Sequence, residues 1–377
     1  MKSNLFLSGL ISLFLIIMTG CDLDGPNYNK ITVCPMGNSQ SDSIEDEQFE
    51  RIDSLPDGNI LVYNDCGIMY EGDIKLNIEQ WGNLKDSGNI FGEGVTEPHI
   101  DRTLNPVTNL PMKENRGLGV YPNGYNLWAM VRFVYDENLQ LLHKERIKAA
   151  LLAIQRNTNV RFYNATGLPT FDSTYGPIPY IRFKNIGKAY SSYSSVGKLG
   201  GEQIIGLCEE AFLTENIYKI EHEICHALGM MHEHCRNDRD PYVLIDTNNL
   251  TEKGKAQFVK QTAQYFTRGD YDYNSIMGYD TWLSDPELAI DPSRPVYTKR
   301  DGQPIYQGRE LSDLDRKWLN YFYLPYVARS DTYLELDSRV YDGNNKLISE
   351  SERLKLQAQL NNGKATPPAD GHISNEF

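Results

Sequence analysis

One stretch constrains this chain more than any other. "IEHEICHALGMMHEHCRNDRDPY", residues 220–242, places His222, Glu223, His226 and His232 within eleven positions. Four of the seven histidines lie in it, a density that packing alone does not require. Ile217, Ile220, Ile224 and Leu228 recur at helical spacing, so a helix with one apolar face is predicted here. Residues four apart share a helix face, which lets His222 and His226 offer imidazoles to a single ion. Glu223 is rotated about 100° from His222, near enough to reach a water beside the ion without ligating it. Gly229 accepts positive φ cheaply, so the chain can turn out of the helix and return His232 as a third ligand. Three histidines leave one position open. That is the catalytic kind of zinc arrangement, whereas structural sites close with four protein ligands and favour Cys.

The chain, at 377 residues, is large enough for one large core or two moderate ones. Its net charge of -14, with no basic run, excludes nucleic acid as the expected partner. The first twenty residues, "MKSNLFLSGLISLFLIIMTG", have a lysine, a short apolar run and small residues before Cys21, the pattern of a secretory signal peptide. Cys21 after Thr-Gly resembles the lipidation site of bacterial lipoproteins. The chain is therefore expected to be exported, as an outer-membrane or cell-surface lipoprotein anchored through Cys21, or else as a secreted protein. Five further cysteines, Cys34, Cys66, Cys208, Cys225 and Cys235, leave at least one unpaired within the chain.

Residues 21–115 show few long apolar periodicities and read as a tether and irregular arm. Regular structure is expected from "YPNGYNLWAMVRFVYD", a turn and strand, through "HKERIKAALLAIQRN", an amphipathic helix on Ile147, Leu151 and Ile154. Short strands follow at "VRFYN" and "PYIRFKNIG", then a glycine-punctuated strand pair at "SSYSSVGKLGGEQIIGL". The last expected helix of the domain is "LSDLDRKWLNYFY", and residues 326–377 form an extension of unassigned role, with a helix at "SESERLKLQAQL".

The spacing HExxHxxGxxH is the metzincin signature. The residues after the third histidine narrow it: Glu233, Arg236, Asp238, Arg239, Asp240 and Tyr242, then Ser275, Met277 and Tyr279 in "SIMGYD", resemble the astacin family of zinc endopeptidases. The resemblance runs over roughly residues 117–325. It implies an α+β catalytic domain over 116–325, of two subdomains, with a twisted mixed sheet, an active-site helix and a cleft between the subdomains. It implies one zinc ion on His222, His226 and His232, with Glu223 as the base acting on a water that attacks a peptide carbonyl. Met277 becomes the hydrophobic floor beneath the imidazoles. Tyr279 becomes an additional zinc ligand that swings away to stabilise the oxyanion. "YSSYSSVGKLGGEQ" falls where the family has the edge strand that pairs with substrate.

The same resemblance accounts for "MYEGDIKLN" in the arm. Tyr70, Gly72 and Asp73 are similar to the family's Phe-x-Gly-Asp pro-segment motif, whose aspartate reaches the zinc. The expectation is a zymogen inhibited by its own pro-segment, with Cys66 as a rival ligand and cleavage at Lys113 or Arg116. In the family the freed N-terminus is buried near the glutamate that corresponds to Glu233. The chain departs from the pattern in its disulfides: Asn159 and Ser192 stand where two expected cysteines fall, and Gly278 replaces a histidine. Cys225 and Cys235 are left as either a bridge across the Gly229 turn or two buried thiols. The competing reading, from another class, is a catalytically silent surface binding module that keeps the fold. Its signature, loss of a ligand or of the base, is not found.

Overall fold

The computed structural model describes residues 51–353 except 56–59, 65, 92–127, 129–130, 174–175, 189–190, 262–268 and 324–338, although Trp128 is placed. The signal peptide 1–20, Cys21 and its tether, Lys113, Arg116 and most of 326–377 lie outside the described residues, as does most of the helix expected at 349–360. Among the described residues no helix is long and apolar enough to cross a membrane.

The central sheet takes β5 (Val131–Tyr135), β6 (Phe162–Asn164), β9 (Tyr180–Gly187) and β10 (Glu202–Cys208) in the order β10-β9-β5-β6, all parallel. Parallel neighbours need a crossover, and α2 (Leu141–Asn157) supplies it between β5 and β6. Its Ile147, Leu151 and Ile154 are fully buried, as their spacing predicts. The five residues of β5 are all buried, the mark of a strand covered on both faces. The mixed character enters at the edge, where Tyr193 bridges Gly206 of β10 in antiparallel sense. Two minor strands, β7 (Phe171–Asp172) and β8 (Gly176–Pro177), form a short ribbon before β9.

Behind the sheet lies α3 (Ile217–Ala227), with Ile220, Ile224 and Leu228 fully buried. A second, smaller core gathers Val243, Leu250, Phe258, Tyr271, Val296 and Tyr297. It draws on β11 (Val243–Ile245), which pairs antiparallel with β12 (Tyr297–Lys299), and adjoins α4 (Glu252–Gln257). The α5 helix (Asp313–Phe322) starts at a capping box on Ser312 and returns Trp318, Leu319 and Phe322 to the main core.

The arm is where the structure departs from expectation. Residues 51–76 form an antiparallel meander, β1 (Arg51–Ser54), β2 (Ile60–Asn64), β3 (Gly67–Tyr70) and β4 (Ile74–Leu76), followed by α1 (Ile78–Ser87). Leu61, Tyr70, Ile74, Leu76, Leu84 and Ile90 join the same core as β5, β9 and α3. Each such side chain contributes about 1.5–3 kcal/mol on burial. A segment of that apolar content holds to the body of the molecule rather than trailing from it. At α1, Asn77 and Gln80 complete a reciprocal cap, and Gln80 Nε2 also donates to the Val196 carbonyl at 2.9 Å.

Candidate metal centre

The centre is built on α3 and the turn that ends it. Leu228 closes the helix, and Gly229 follows at φ 101, where its amide reaches the His226 carbonyl at 2.8 Å. Met230 N donates to Cys225 O at 3.0 Å, so the chain reverses within two residues and delivers His232. The three imidazoles are 0–4 % exposed. His222 Nε2 lies 3.1 Å from His226 Nε2 and 3.3 Å from His232 Nε2.

Their outer nitrogens settle what these atoms are. His222 Nδ1 meets the Ile276 carbonyl and His226 Nδ1 the Met230 carbonyl, each at 2.8 Å. A carbonyl only accepts, so each Nδ1 carries the proton and each Nε2 turns a lone pair inward. Lone pairs converging at this distance suit a cation between them. Nitrogen ligands about 2.0–2.1 Å from a tetrahedral zinc stand roughly 3.3–3.4 Å apart, close to the observed spacing. The donor set fits one zinc ion.

Asp73 completes the group. Its carboxylate oxygens lie 3.3 Å from His222 Nε2, 3.3 Å from His226 Nε2 and 3.2 Å from His232 Nε2. Asp73, His222, His226 and His232 form one cluster with metal-ligand geometry, whereas Cys66 sits before β3 with its amide on Asn64 and is not in that cluster. Asp73 Oδ1 is buried without a hydrogen-bond donor. Burial would raise this carboxyl, yet positive charge on His232 outweighs it and holds it well below the carboxylate range. Its neighbours pair with the sheet edge: Ser194 N donates to Asp73 O at 3.0 Å and Lys75 N to Ser194 O at 2.7 Å, in parallel sense.

Glu223 is 3 % exposed, and its Oε2 is buried without a partner. Burial first, then the Asp73 charge, push its carboxyl well above the ordinary value. The Tyr279 ring packs 5.4 Å from His232 and 4.1 Å from His234, centroid to centroid, and burial likewise raises its phenol. Met277 is buried in the main core; its carbonyl accepts from Glu233 N at 3.0 Å, which ties that turn to the residue after the third histidine. Glu233 Oε1 takes Arg236 Nη1 at 2.8 Å and Asp272 N at 2.6 Å, and burial, against the Arg236 charge, lifts its carboxyl to about 7. A cleft of about 890 Å³ opens over the site, lined by Asp73, His222, Glu223, Tyr279, Trp282 and Gln307 among others.

The thiol question resolves. Cys66, Cys208, Cys225 and Cys235 are all unbridged. Cys225 packs into the main core while Cys235 turns its thiol to the Gln257 carbonyl, so the two do not face one another. Sequence reasoning missed several residues. Asp315 accepts from Ser275 Oγ and from the amides of Ile276 and Ser312, buttressing the turn that carries Met277. His234, fully buried, packs tilted at 33° against Tyr279. Glu71, 1 % exposed, bonds His232 Nδ1 at 3.2 Å. The HEH repeat at 232–234 was the one signal for His234; nothing in the sequence singled out Glu71.

A helix carrying two of three histidine ligands, a glycine turn to the third and a buried carboxylate beside them define a zinc-metalloprotein site on an α+β frame. The Astacin family of peptidases matches residues 121–324, and the chain belongs to that family. It is 39% identical over 114 residues to flavastacin of Elizabethkingia meningoseptica, covering 30% of this chain and 25% of that protein. It is 35% identical over 165 residues to zinc metalloproteinase nas-6 of Caenorhabditis elegans, covering 43% and 45%. Among solved structures, high choriolytic enzyme 1, a hatching enzyme zinc-protease of Oryzias latipes, aligns at 25% identity and TM-score 0.43 over 52% of this chain and 90% of its own. The chain spans between a quarter and about half the length of the curated relatives named here.

Proposed function

We propose that this protein is a zinc-dependent endopeptidase, held latent by its own residues 67–76. The observation that carries the reading is the Asp73 carboxylate, 3.2–3.3 Å from all three Nε2 atoms, on a segment whose backbone pairs with Ser194. His222, His226 and His232 would hold a zinc ion, which would supply a Lewis acid for a peptide carbonyl and a more acidic attacking water. Glu223, one residue from His222 and outside the ligand set, takes the proton of that water and passes it to the leaving amine. Tyr279 donates its phenol hydrogen to the developing oxyanion, and burial keeps that phenol protonated. The edge at Ser194, now paired with residues 73–75, serves a substrate strand once the segment leaves. Latency follows because one carboxylate and one strand occupy the places of water and substrate together. Export with a lipid on Cys21 belongs to the same reading and rests on the N-terminal sequence.

The test is zinc content and casein cleavage by residues 22–377, with and without Asp73→Ala. The reading expects one zinc in each, little cleavage by the first and clear cleavage by the second. Adding Glu223→Gln should then cut the rate by about 100-fold or more with zinc retained. Zinc in both forms but no cleavage by either, even after processing at Lys113 or Arg116, would leave only a binding module.

A further inference from the structure

His232 differs from the other two ligands in what holds its outer nitrogen. His222 and His226 lean on main-chain carbonyls of Ile276 and Met230, whereas the His232 Nδ1 contact is the Glu71 carboxylate, at 3.2 Å. Glu71 and Asp73 thus clamp one imidazole from both sides, Glu71 Oε2 at Nδ1 and Asp73 Oδ1 at Nε2. Residues two apart reach both edges of a ring because the chain between β3 and β4 turns through the left-handed region, at φ 50 for Glu71 and φ 97 for Gly72. A non-glycine residue there costs about 1–3 kcal/mol, so the surrounding contacts must hold it. Gln261 does so in part, donating its Nε2 to Glu71 Oε1 at 3.0 Å.

We propose that Glu71 is a positioning residue for the metal: it fixes the tautomer and orientation of His232, raises that ligand's basicity, and makes the latent chain retain zinc more tightly. A carboxylate on the far nitrogen of a metal-bound histidine has this effect generally. Removing residues 67–76 therefore takes away the Asp73 block and the outer partner of His232 in one event, leaving a centre that gives up zinc more readily. The inference rests on the proposed reading of 67–76 as the occupant of a zinc site.

The experiment loads the full chain with zinc and follows its transfer to a chromophoric chelator for wild type, Glu71→Gln and Gln80→Ala. Glu71→Gln keeps size and removes charge, and is expected to release zinc about 10-fold faster or more. Gln80→Ala loosens the same segment at Val196 without touching His232, and is expected to stay near wild type. Cobalt substitution adds a spectroscopic signature: the visible bands should shift in Glu71→Gln and not in Gln80→Ala. Should Glu71→Gln fold poorly, Glu71→Asp, one methylene shorter, is expected to give an intermediate rate. Equal release by wild type and the Glu71 variants, or equal acceleration by Gln80→Ala with an unchanged spectrum, would overturn the proposal. A wild-type chain that binds no zinc would instead remove the site reading, and this inference with it.

Discussion

Removing one hydroxyl, by Tyr323→Phe, tests how the end of the zinc helix is held. The last carbonyls of a helix lack partners within it. At α3 two of them are met by side chains from distant elements: Trp128 Nε1 donates to Ala227 O and Tyr323 OH to Leu228 O, both at 2.8 Å. Trp128 and Tyr323 are 1 % and 2 % exposed, so no water replaces a lost donor. Tyr323→Phe leaves the ring and its packing in place and strips the donor from a buried carbonyl. The expected loss is about 1–3 kcal/mol, the cost of a buried group left unsatisfied. Urea unfolding at fixed free zinc measures it, with the dependence on urea unchanged because the surface exposed on unfolding is unchanged. Burial raises the phenol well above its ordinary range, so the hydroxyl remains a donor and the deficit should be the same at pH 6 and pH 9. A deficit below about 0.5 kcal/mol, the level of ordinary surface substitutions, would refute the reasoning.

Asp315→Ala removes both oxygens, so the Ser275 hydroxyl and the Ile276 and Ser312 amides lose their buried acceptor at the turn that carries Met277. Burial already pushes this carboxyl up, which offsets part of the loss, and the expected destabilisation is about 2 kcal/mol by the same unfolding assay. Gly308→Ala brings a Cβ to 2.4 Å from Asn274 O and 2.9 Å from Ile276 N, main-chain atoms that cannot swing aside. It should cost about 3 kcal/mol and weaken zinc retention, read by melting temperature and chelator transfer. The Arg236 fork, with bonds of 2.8 Å to each Asp238 oxygen, lowers the Asp238 carboxyl. A depressed acid stabilises the fold above its unfolded value near 3.9 and loses that contribution as pH falls through the folded one. Asp238→Asn should therefore narrow its melting-temperature gap from wild type between pH 5 and pH 2; a constant gap would contradict the pairing.

The candidate zinc ligands were legible because chemistry and local geometry coincide: three histidines and a glutamate on one helix and one turn need no long-range information. Asp73 was legible only through a short motif, since its partners are 149–159 residues away. Glu71 was not legible at all. A glutamate beside glycine in a polar arm reads as a solvated turn until the fold places its carboxylate under His232. The meander at 51–76 was missed for a related reason. Its strands are three to five residues long, too short for a periodicity to stand out, and β1 is largely exposed. What stabilises them is the main core they share with β5, β9 and α3, which local pattern does not report.

The cysteines show the same limit from the other side: among the described residues all four are unbridged. Asn159 stands where a half-cystine is expected, and its replacement looks like a loss until its contacts are traced. Its amide donates to Asn320 Oδ1 at 2.7 Å, its Nδ2 to Tyr341 O at 2.8 Å, and its Oδ1 accepts from Tyr341 N at 2.9 Å. Asn320 in turn donates to Asn345, which donates to Asp313 at the start of α5. The bridge between Tyr341 and Leu347 thus lies against α5 and the end of α2, where Tyr341 OH also reaches Arg156 O. A disulfide closing a loop of 100 residues contributes roughly 4–5 kcal/mol in the chain-entropy view. Three hydrogen bonds at about 1 kcal/mol each recover a good part of that without an oxidising step. The described part of the extension after residue 338 therefore has a structural role, as the other half of a clasp that begins at Asn159.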